Sequence, residues 1–492
     1  MRSAGAARAA GEKAFHWRAA ITINCYYLGL TALWQTLTPL LVPLLVQQFV
    51  GEARKGSYFG LLRLGTLMLA VLVQALMGML SDRSTLRWGR RRPFIFAGTL
   101  ADQVFLAAIG YSAGMSGMAG YWFLFGAVML LSISSNTAQG AQQGLIPDLV
   151  PEGQRGRFSG VKALFEVPLP MILVAFTSAK LIGAGQYWAS LLLAGFLLLV
   201  TMALTMRVRE EPLRAAPAPL DWPPFVRLLG MTAVFTAVIV GMGEAVSVVG
   251  QALGATTSVA VLLLGMGFAG LVAMIVAVLV GVWASIRISL GAEAARGNRA
   301  FTWWVMSRLA FLIGVSNLGS FAVYFLQARL GLVHEQAAGP ASLLIAAIGA
   351  TILVSALPSG WLADRLGPRR LVAASGLLAA LGTAIAVAAR GSLGIYAGGV
   401  CIGLATGMFY PASWALGTEI VPQAEAGRYL GIANLAGAGA GAIGAYIGGP
   451  LADYFTLRAP GSPGLGYLLI FVLYALLFVF STLALRGART SQ

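Results

Sequence analysis

The chain of 492 residues is 58% hydrophobic and only 10% charged, against roughly 45–50% and about 25% in a soluble domain. That excludes a soluble fold, a disordered chain and a single-anchor protein with a large soluble domain, because the apolar excess runs from end to end. The net charge of +16 does not mark a nucleic-acid partner: the basic residues stand in short clusters between apolar runs, as orientation signals do, and no basic stripe is interleaved with aromatics.

A spanning helix needs about 20 mostly apolar residues. In chain order such runs lie near 20–48, 57–81, 93–113, 120–146, 158–182 and 186–206, then near 227–251 and 256–286. Six more follow near 301–328, 339–360, 371–389, 393–417, 428–450 and 465–485. An all-α polytopic membrane protein with fourteen transmembrane helices is predicted. Arg2, Arg8, Lys13 and Arg18 precede a first span too long for the apolar core of a signal peptide, so that span is expected to stay in the bilayer. With the N-terminus placed inside and the loops alternating, inside segments hold 24 of the 33 basic residues. Outside segments hold 6: Arg54, Lys55, Lys180, Arg329, Arg390 and Arg458. This asymmetry predicts both termini on the cytoplasmic side of the cell (inner) membrane. Cys25 and Cys401, far apart inside apolar runs, read as small core residues and not as a disulfide or metal pair.

Two loops on the predicted inside repeat each other: S-D-R-S-T-L-R-W-G-R-R-R (81–92) and A-D-R-L-G-P-R-R (363–370). A second pair aligns without a gap, P-D-L-V-P-E-G-Q-R-G-R-F-S-G (147–160) on T-E-I-V-P-Q-A-E-A-G-R-Y-L-G (418–431). Asp148 falls on Glu419, Pro151 on Pro422, Arg157 on Arg428 and Gly160 on Gly431. Two parallel six-helix repeats follow from this, residues 1–210 and 300–492. Between them, 211–299 hold a Pro-rich linker (P-L-R-A-A-P-A-P-L-D-W-P-P, 212–224) and two extra central helices. An even number of inserted spans preserves the orientation of the second half, and internal repeats of this kind mark secondary transporters.

The G-x-L-x-D-R-x-G-x-R-R loop of both halves resembles the signature loop of the major facilitator superfamily. More narrowly, V-Q-A-L-M-G-M-L-S-D-R-S-T-L-R-W-G-R-R-R-P-F-I-F-A-G (73–98), N-T-A-Q-G-A-Q-Q-G-L-I-P-D-L (136–149) and the pair Thr38-Pro39 are similar to the glycoside–pentoside–hexuronide and sucrose cation symporters. The resemblance implies the major facilitator fold and sugar transport. In the same register, the acid that sugar symporters carry in the fourth helix falls on Ser132 and their arginine on Gln143. The histidine of the plant relatives is absent, His16 and His334 being the only two.

The charged loops suggest a cytoplasmic gate. Asp82 ends the second span, where a carboxylate can cap the positive N-terminus of a helix of the opposite half. Arg83, Arg90, Arg91, Arg92 and Arg157 are set to pair with Asp82, Asp148 and Glu152, latching the halves while the inside is shut. Asp364, Arg369, Glu419 and Arg428 form the equivalent second set. The alternative is that the arginines act only as topology signals.

Ionisable residues deep in spans are costly and usually functional. Asp102 lies nine residues into the third span, about 13–14 Å deep at 1.5 Å per residue. Glu166 is as deep in the fifth, between Lys162 one turn earlier and the kink-prone Pro168 and Pro170. Lys162 and Glu166 also suit a structural i,i+4 pair. Arg308 and Arg63 complete the set of coupling candidates, Arg63 lying within snorkelling reach of the outer face. A proton-coupled carrier needs a carboxylate that burial makes easier to protonate and that a cation makes harder, a role for which Asp102 and Glu166 are the candidates. Glu244 sits in the inserted pair, away from the central pathway. Asn24 and Gln35 in the first span, Asn136, Gln139 and Gln143 in the fourth, and Asn317, Tyr410 and Trp414 in the second half supply the amides and aromatic surface of a sugar site. Each amide alone equally suits interhelical glue. The Gly-rich run at 433–450 reads as close helix contact and not as a phosphate loop, since no strand precedes it.

No metal cluster or nucleophile–base pair appears, so catalysis and a cofactor are not expected. The expected function is import of a sugar or glycoside in the lipid bilayer by a monomeric carrier, coupled to protons or sodium by alternating access. A fourteen-helix drug/proton antiporter exporting small amphiphilic molecules is the alternative. Against it, the fifth span carries Glu166-Val167-Pro168-Leu169-Pro170 where that group has a G-P-x-x-G-G-type motif.

Overall fold

A computed structural model of the chain describes residues 16–210, 212, 219–291, 298–332, 334–421, 426–459 and 464–488. All the regular structure among these residues is helical. Thirteen helices are long and apolar enough to cross a membrane, and a bent pair makes a fourteenth. In chain order they are α1 (Trp17–Val50), α2 (Lys55–Asp82), α3 (Arg92–Ser112), α4 (Gly117–Leu149), α5 (Arg155–Gly183) and α6 (Tyr187–Thr205). The inserted pair is α7 (Trp222–Ala255) and α8 (Val259–Leu290). The second half is α9 (Arg299–Ser320 with Ala322–Leu330), α10 (Ala338–Leu366), α11 (Pro368–Ala388), α12 (Ser392–Ile420), α13 (Ala426–Arg458) and α14 (Leu465–Ala484). Each of the fourteen predicted spans overlaps one of them.

In the orientation that the charge pattern predicts, α1 begins at the inner end. Both signature loops turn at a glycine with left-handed backbone, Gly89 (φ 106°) and Gly367 (φ 86°), a conformation that a Cβ disfavours. Pro93 and Pro368 then open the next helix in the first turn, where no N–H is needed.

Small residues set the spacing along the seam between the halves. A Cβ on Gly449 of α13 would stand 2.1 Å from the Gly56 carbonyl oxygen of α2, and one on Gly60 would stand 2.4 Å from that of Ala445. The backbones of α2 and α13 therefore touch at their outer parts, as small-xxx-small spacing permits. The inserted pair packs on α13 through the same device: a Cβ on Gly243 would meet the Tyr446 ring at 2.7 Å, and one on Gly439 the Phe235 ring at 2.3 Å. Tyr454 Oη donates to the Gly250 carbonyl at 3.1 Å, and Arg458 donates to that of Gly254. Glu244 is exposed on α7.

Candidate functional site

Three helices are interrupted where they border one cavity. In α1, Pro39 has no N–H to give, and residues Leu37–Leu41 form a wide π turn. In α5, Pro168 and Pro170 end the first segment at Glu166 and start a second, Pro168–Phe176. In α9, the chain bends by 62° at Phe321, just after Gly319 and Ser320. Irregular backbone inside a membrane is tolerated where it lines a cavity, and here it does.

A cavity of about 350 Å³ lies among the breaks, walled by Gln35, Thr38 and Pro39 of α1, Arg63 of α2, Glu166 and Met171 of α5, and Ser316 and Ser320 of α9. Ile345, Ile348 and Ile352 of α10 and Ile402, Thr406 and Tyr410 of α12 close it. Both halves contribute, and the wall combines polar groups with branched-aliphatic side chains.

Of the predicted coupling residues, Arg63 and Glu166 meet in this cavity. Glu166 keeps Lys162 as its counter-ion at 3.7 Å, while the Lys162 ammonium lies 4.6 Å from the Tyr27 ring centroid. Arg63 points inward and does not snorkel: its Nε is buried, with no hydrogen-bond partner among the described residues. Arg308 lies behind the cavity wall. Its guanidinium stands 4.5 Å from the Trp414 ring and 6.0 Å from that of Tyr410, and donates to Ser413 Oγ at 3.2 Å. Asp102 is fully buried between α3 and α4, away from the cavity. Its Oδ1 accepts the hydroxyls of Ser134 and Ser135, the latter at 2.9 Å, and Oδ2 has no partner among the described residues.

Gln35 and Tyr410 line the cavity; the other six predicted substrate residues do not. Asn24 donates to the Ala20 and Phe158 carbonyls (2.9 and 3.1 Å), tying α1 to α5. Asn136 turns back on its own helix, to the Ser132 carbonyl at 2.8 Å. Asn317 joins α9 to α13 through the Ala440 carbonyl at 3.2 Å. Gln139 is half-buried outside the cavity, and Gln143 is exposed at the inner end of α4. Trp414 serves Arg308 instead. A buried amide satisfies its own donors first, and carbonyls of neighbouring helices were within reach.

At the inner end, four of the predicted gate residues, Asp82, Arg90, Arg91 and Asp148, meet in one charge cluster. Arg91, 6% exposed, pairs with Asp82 and, at 3.0 Å, with Asp148. Arg90 reaches Asp148 at 2.6 Å. These bonds tie α2, α3 and α4 of one half together and do not cross to the other. The loop from Arg83 to Arg91 is short, so Arg91 at the start of α3 lies within reach of both carboxylates. Arg83 donates to the Met79 and Pro219 carbonyls, and Arg92 to that of Trp88. Arg157 is exposed. Glu210, which the sequence did not single out, accepts the backbone N–H groups of Arg91 and Arg92 (3.0 and 3.2 Å), capping α3. In the second half Arg369 donates to the Leu485 carbonyl at 2.6 Å, whereas Asp364 and Glu419 are exposed and make no ion pair among the described residues. The side chains of Glu152 and Arg428 lie outside the described residues.

The bonds that join the halves gather at the outer ends, around two residues that sequence reasoning missed. Asp453 of α13, 4% exposed, accepts the Gly56 N–H at 2.9 Å and both the N–H and the hydroxyl of Ser57 at 2.7 Å. It thereby caps the N-terminus of α2 from the opposite half. Lys55, equally buried, holds Glu52 at 2.7 Å and Gln327 Oε1 of α9 at 2.9 Å, with its ammonium 4.6 Å from the Tyr324 ring. Gln327 in turn donates to Gln47 of α1 at 3.0 Å, and Tyr324 Oη to the Pro43 carbonyl at 2.6 Å. Tyr187 of α6 donates to Glu335, ahead of α10, at 2.7 Å. The cavity is roofed on this side.

Residues 304–491 match the model of the Major Facilitator Superfamily. The sucrose transport protein SUC3 of Arabidopsis thaliana is 31% identical over 112 residues, 19% of this chain and 19% of the relative. The sucrose transport protein SUT1 of Oryza sativa subsp. japonica is 33% identical over 96 residues, 16% and 18% of the two chains. Myo-inositol transporter 2 of Schizosaccharomyces pombe is 28% identical over 144 residues, 28% and 26%. The chain thus spans about a fifth of the length of the sucrose transporters it matches. Among solved structures, a D-xylose-proton symporter superposes with a TM-score of 0.63 at 17% identity, covering 96% of this chain and 97% of that one. The nucleoside transporter NupG gives 0.63 at 13% identity, covering 95% and 99%. The chain is thus similar in sequence to the Major Facilitator Superfamily over residues 304–491, and along its length its fold is like that of these solved transporters.

Proposed function

We propose that the protein is a secondary active transporter that imports a sugar or glycoside across the cell membrane, driven by a proton or sodium gradient. The observation that carries this reading is the cavity at the meeting of three interrupted helices, lined by both halves and roofed at the outer end. A site of this kind lets substrate reach one side at a time. In this reading both termini are cytoplasmic, and the structure is the state that faces inward. Gln35, Tyr410 and the hydroxyls of Thr38, Ser316, Ser320 and Thr406 receive the sugar's hydroxyls. Similarity to sucrose and inositol transporters over limited stretches supports the substrate class.

Coupling is assigned to two carboxyls. Glu166 faces the cavity and is held by Lys162, so a cation or proton arriving there competes with that pair. Among the described residues an ionised Asp102 has no counter-ion, and charge at this depth is costly; Oδ2 is the atom left to carry a proton. Outward opening then requires Asp453 to leave the N-terminus of α2.

Export of amphiphiles is the second reading, favoured by the isoleucine wall. Uptake into proteoliposomes separates the two. Radiolabelled sucrose, maltose and a simple glucoside are offered outside, with and without an inward proton or sodium gradient. Gradient-dependent accumulation supports import; proton release triggered by lipophilic cations, without accumulation, supports the exporter.

A further inference from the structure

We propose that the molecule carried in the central cavity bears an anionic group, and that Arg63 is the residue that holds it. The inference rests on the cavity being the substrate site. It starts from an imbalance of charge within that cavity.

Two ionised side chains line the wall, Glu166 and Arg63. Glu166 already has a cation, Lys162 at 3.7 Å. Arg63 has no anion: among the described residues no carboxylate lies within ion-pair distance of its guanidinium, and the buried Nε makes no hydrogen bond. The other polar groups of the wall, from Thr31, Gln35, Thr38, Ser316, Ser320 and Thr406, are neutral.

A guanidinium about 12 Å into a membrane helix, eight residues beyond Lys55, is expensive to leave unpaired. It is also too strongly basic to shed its proton. Its planar fork matches a carboxylate, sulfate or phosphate through two parallel N–H bonds. Behind it, a Cβ on Gly441 of α13 would lie 3.4 Å from Nη2. The flank toward α13 is thus filled by backbone, and the open side of the guanidinium is the cavity. The same cavity is also lined by Ile345, Ile348, Ile352, Ile402 and Met171, which suit an apolar body. A ligand with one negative group and a hydrophobic portion satisfies both, whereas a neutral sugar leaves the guanidinium without its counter-charge.

The test is binding to the purified full-length protein of two glucosides of nearly equal shape. 4-Carboxyphenyl glucoside carries the charge and 4-nitrophenyl glucoside does not; 4-phenylbutyrate serves as a charged probe without sugar. The carboxylate glucoside is expected to bind roughly tenfold or more tightly than its neutral partner, as one bidentate charge-assisted contact implies. Arg63→Gln removes the preference and Arg63→Lys retains part of it. If Arg63→Gln does not yield folded protein, the wild-type pair and Arg63→Lys decide. Equal binding of the two glucosides, or a preference that survives Arg63→Gln, overturns the inference and leaves the sugar reading standing. Arg63-dependent binding of 4-phenylbutyrate with neither glucoside bound upholds the anion and removes the sugar. Binding of none of the three overturns the inference.

Discussion

Replacing Asp453 by asparagine tests the outer closure with little change of shape. The carboxylate accepts three hydrogen bonds from Gly56 and Ser57, all strengthened by its charge and by the positive end of α2. An amide keeps one accepting oxygen, and its NH2 group then faces an N–H or a hydroxyl. One or two charge-assisted bonds are lost, each worth about 1.5–3 kcal/mol, so the outer-closed state loses roughly 2–4 kcal/mol. At about 1.4 kcal/mol per tenfold, its population against the outer-open state falls by roughly 30- to 1000-fold. Spin labels on Arg54→Cys and Leu457→Cys, with Cys25 and Cys401 replaced by serine, report the separation of α2 and α13 at their outer ends by pulsed electron resonance. A second, longer distance is expected in Asp453→Asn. A distribution identical to that of the parent protein refutes the idea that Asp453 holds the halves together.

Three further outcomes follow from the same contacts. Gly449→Val places a side chain against the Gly56 carbonyl oxygen, where even a Cβ would be at 2.1 Å; the longer distance should appear, and an unchanged one counts against the close seam. Asp102→Asn keeps an acceptor for Ser134 and Ser135 but cannot exchange a proton, so gradient-driven accumulation should be lost while substrate exchange between the two sides continues; full accumulation removes Asp102 from coupling. Arg91→Ala strips Asp82 and Asp148 of their shared cation. Because both carboxylates are partly solvated, the cost is roughly 1–2 kcal/mol, read as a fall of a few degrees in the unfolding temperature in detergent, and the outer distance should not move.

The spans were legible because a bilayer leaves few alternatives to a long apolar helix, and the breaks in α1 and α5 because Pro39, Pro168 and Pro170 announce them. The break at Phe321 carries no proline, and only Gly319 and Ser320 hint at it. Amide density on α4 told of polarity but not of direction: Asn136 spends its donor on its own helix and Gln142 on the Ile23 carbonyl of α1. Lys55 and Asp453 were invisible for a different reason. Lys55 sits among residues that look like an outer loop, and Asp453 follows a Gly-rich run whose pattern speaks only of close packing. Their partners, Gln327 of α9 for Lys55 and the start of α2 for Asp453, come within reach only once the two halves are brought together, and nothing local encodes it. Arg91 was expected to bridge the halves, but residues so near in sequence to Asp82 satisfy one another before they reach across.

Access to the cavity is the property on which the account depends. Gln35→Cys, with Cys25 and Cys401 replaced by serine, places a single thiol on its wall, and a membrane-impermeant thiol reagent can be applied from either side of oriented proteoliposomes. Modification from the cytoplasmic side, slowed by the transported molecule and nearly absent from the other side, is the predicted result. Equal modification from both sides, or modification that no candidate substrate slows, would contradict an alternating-access substrate site between the two halves.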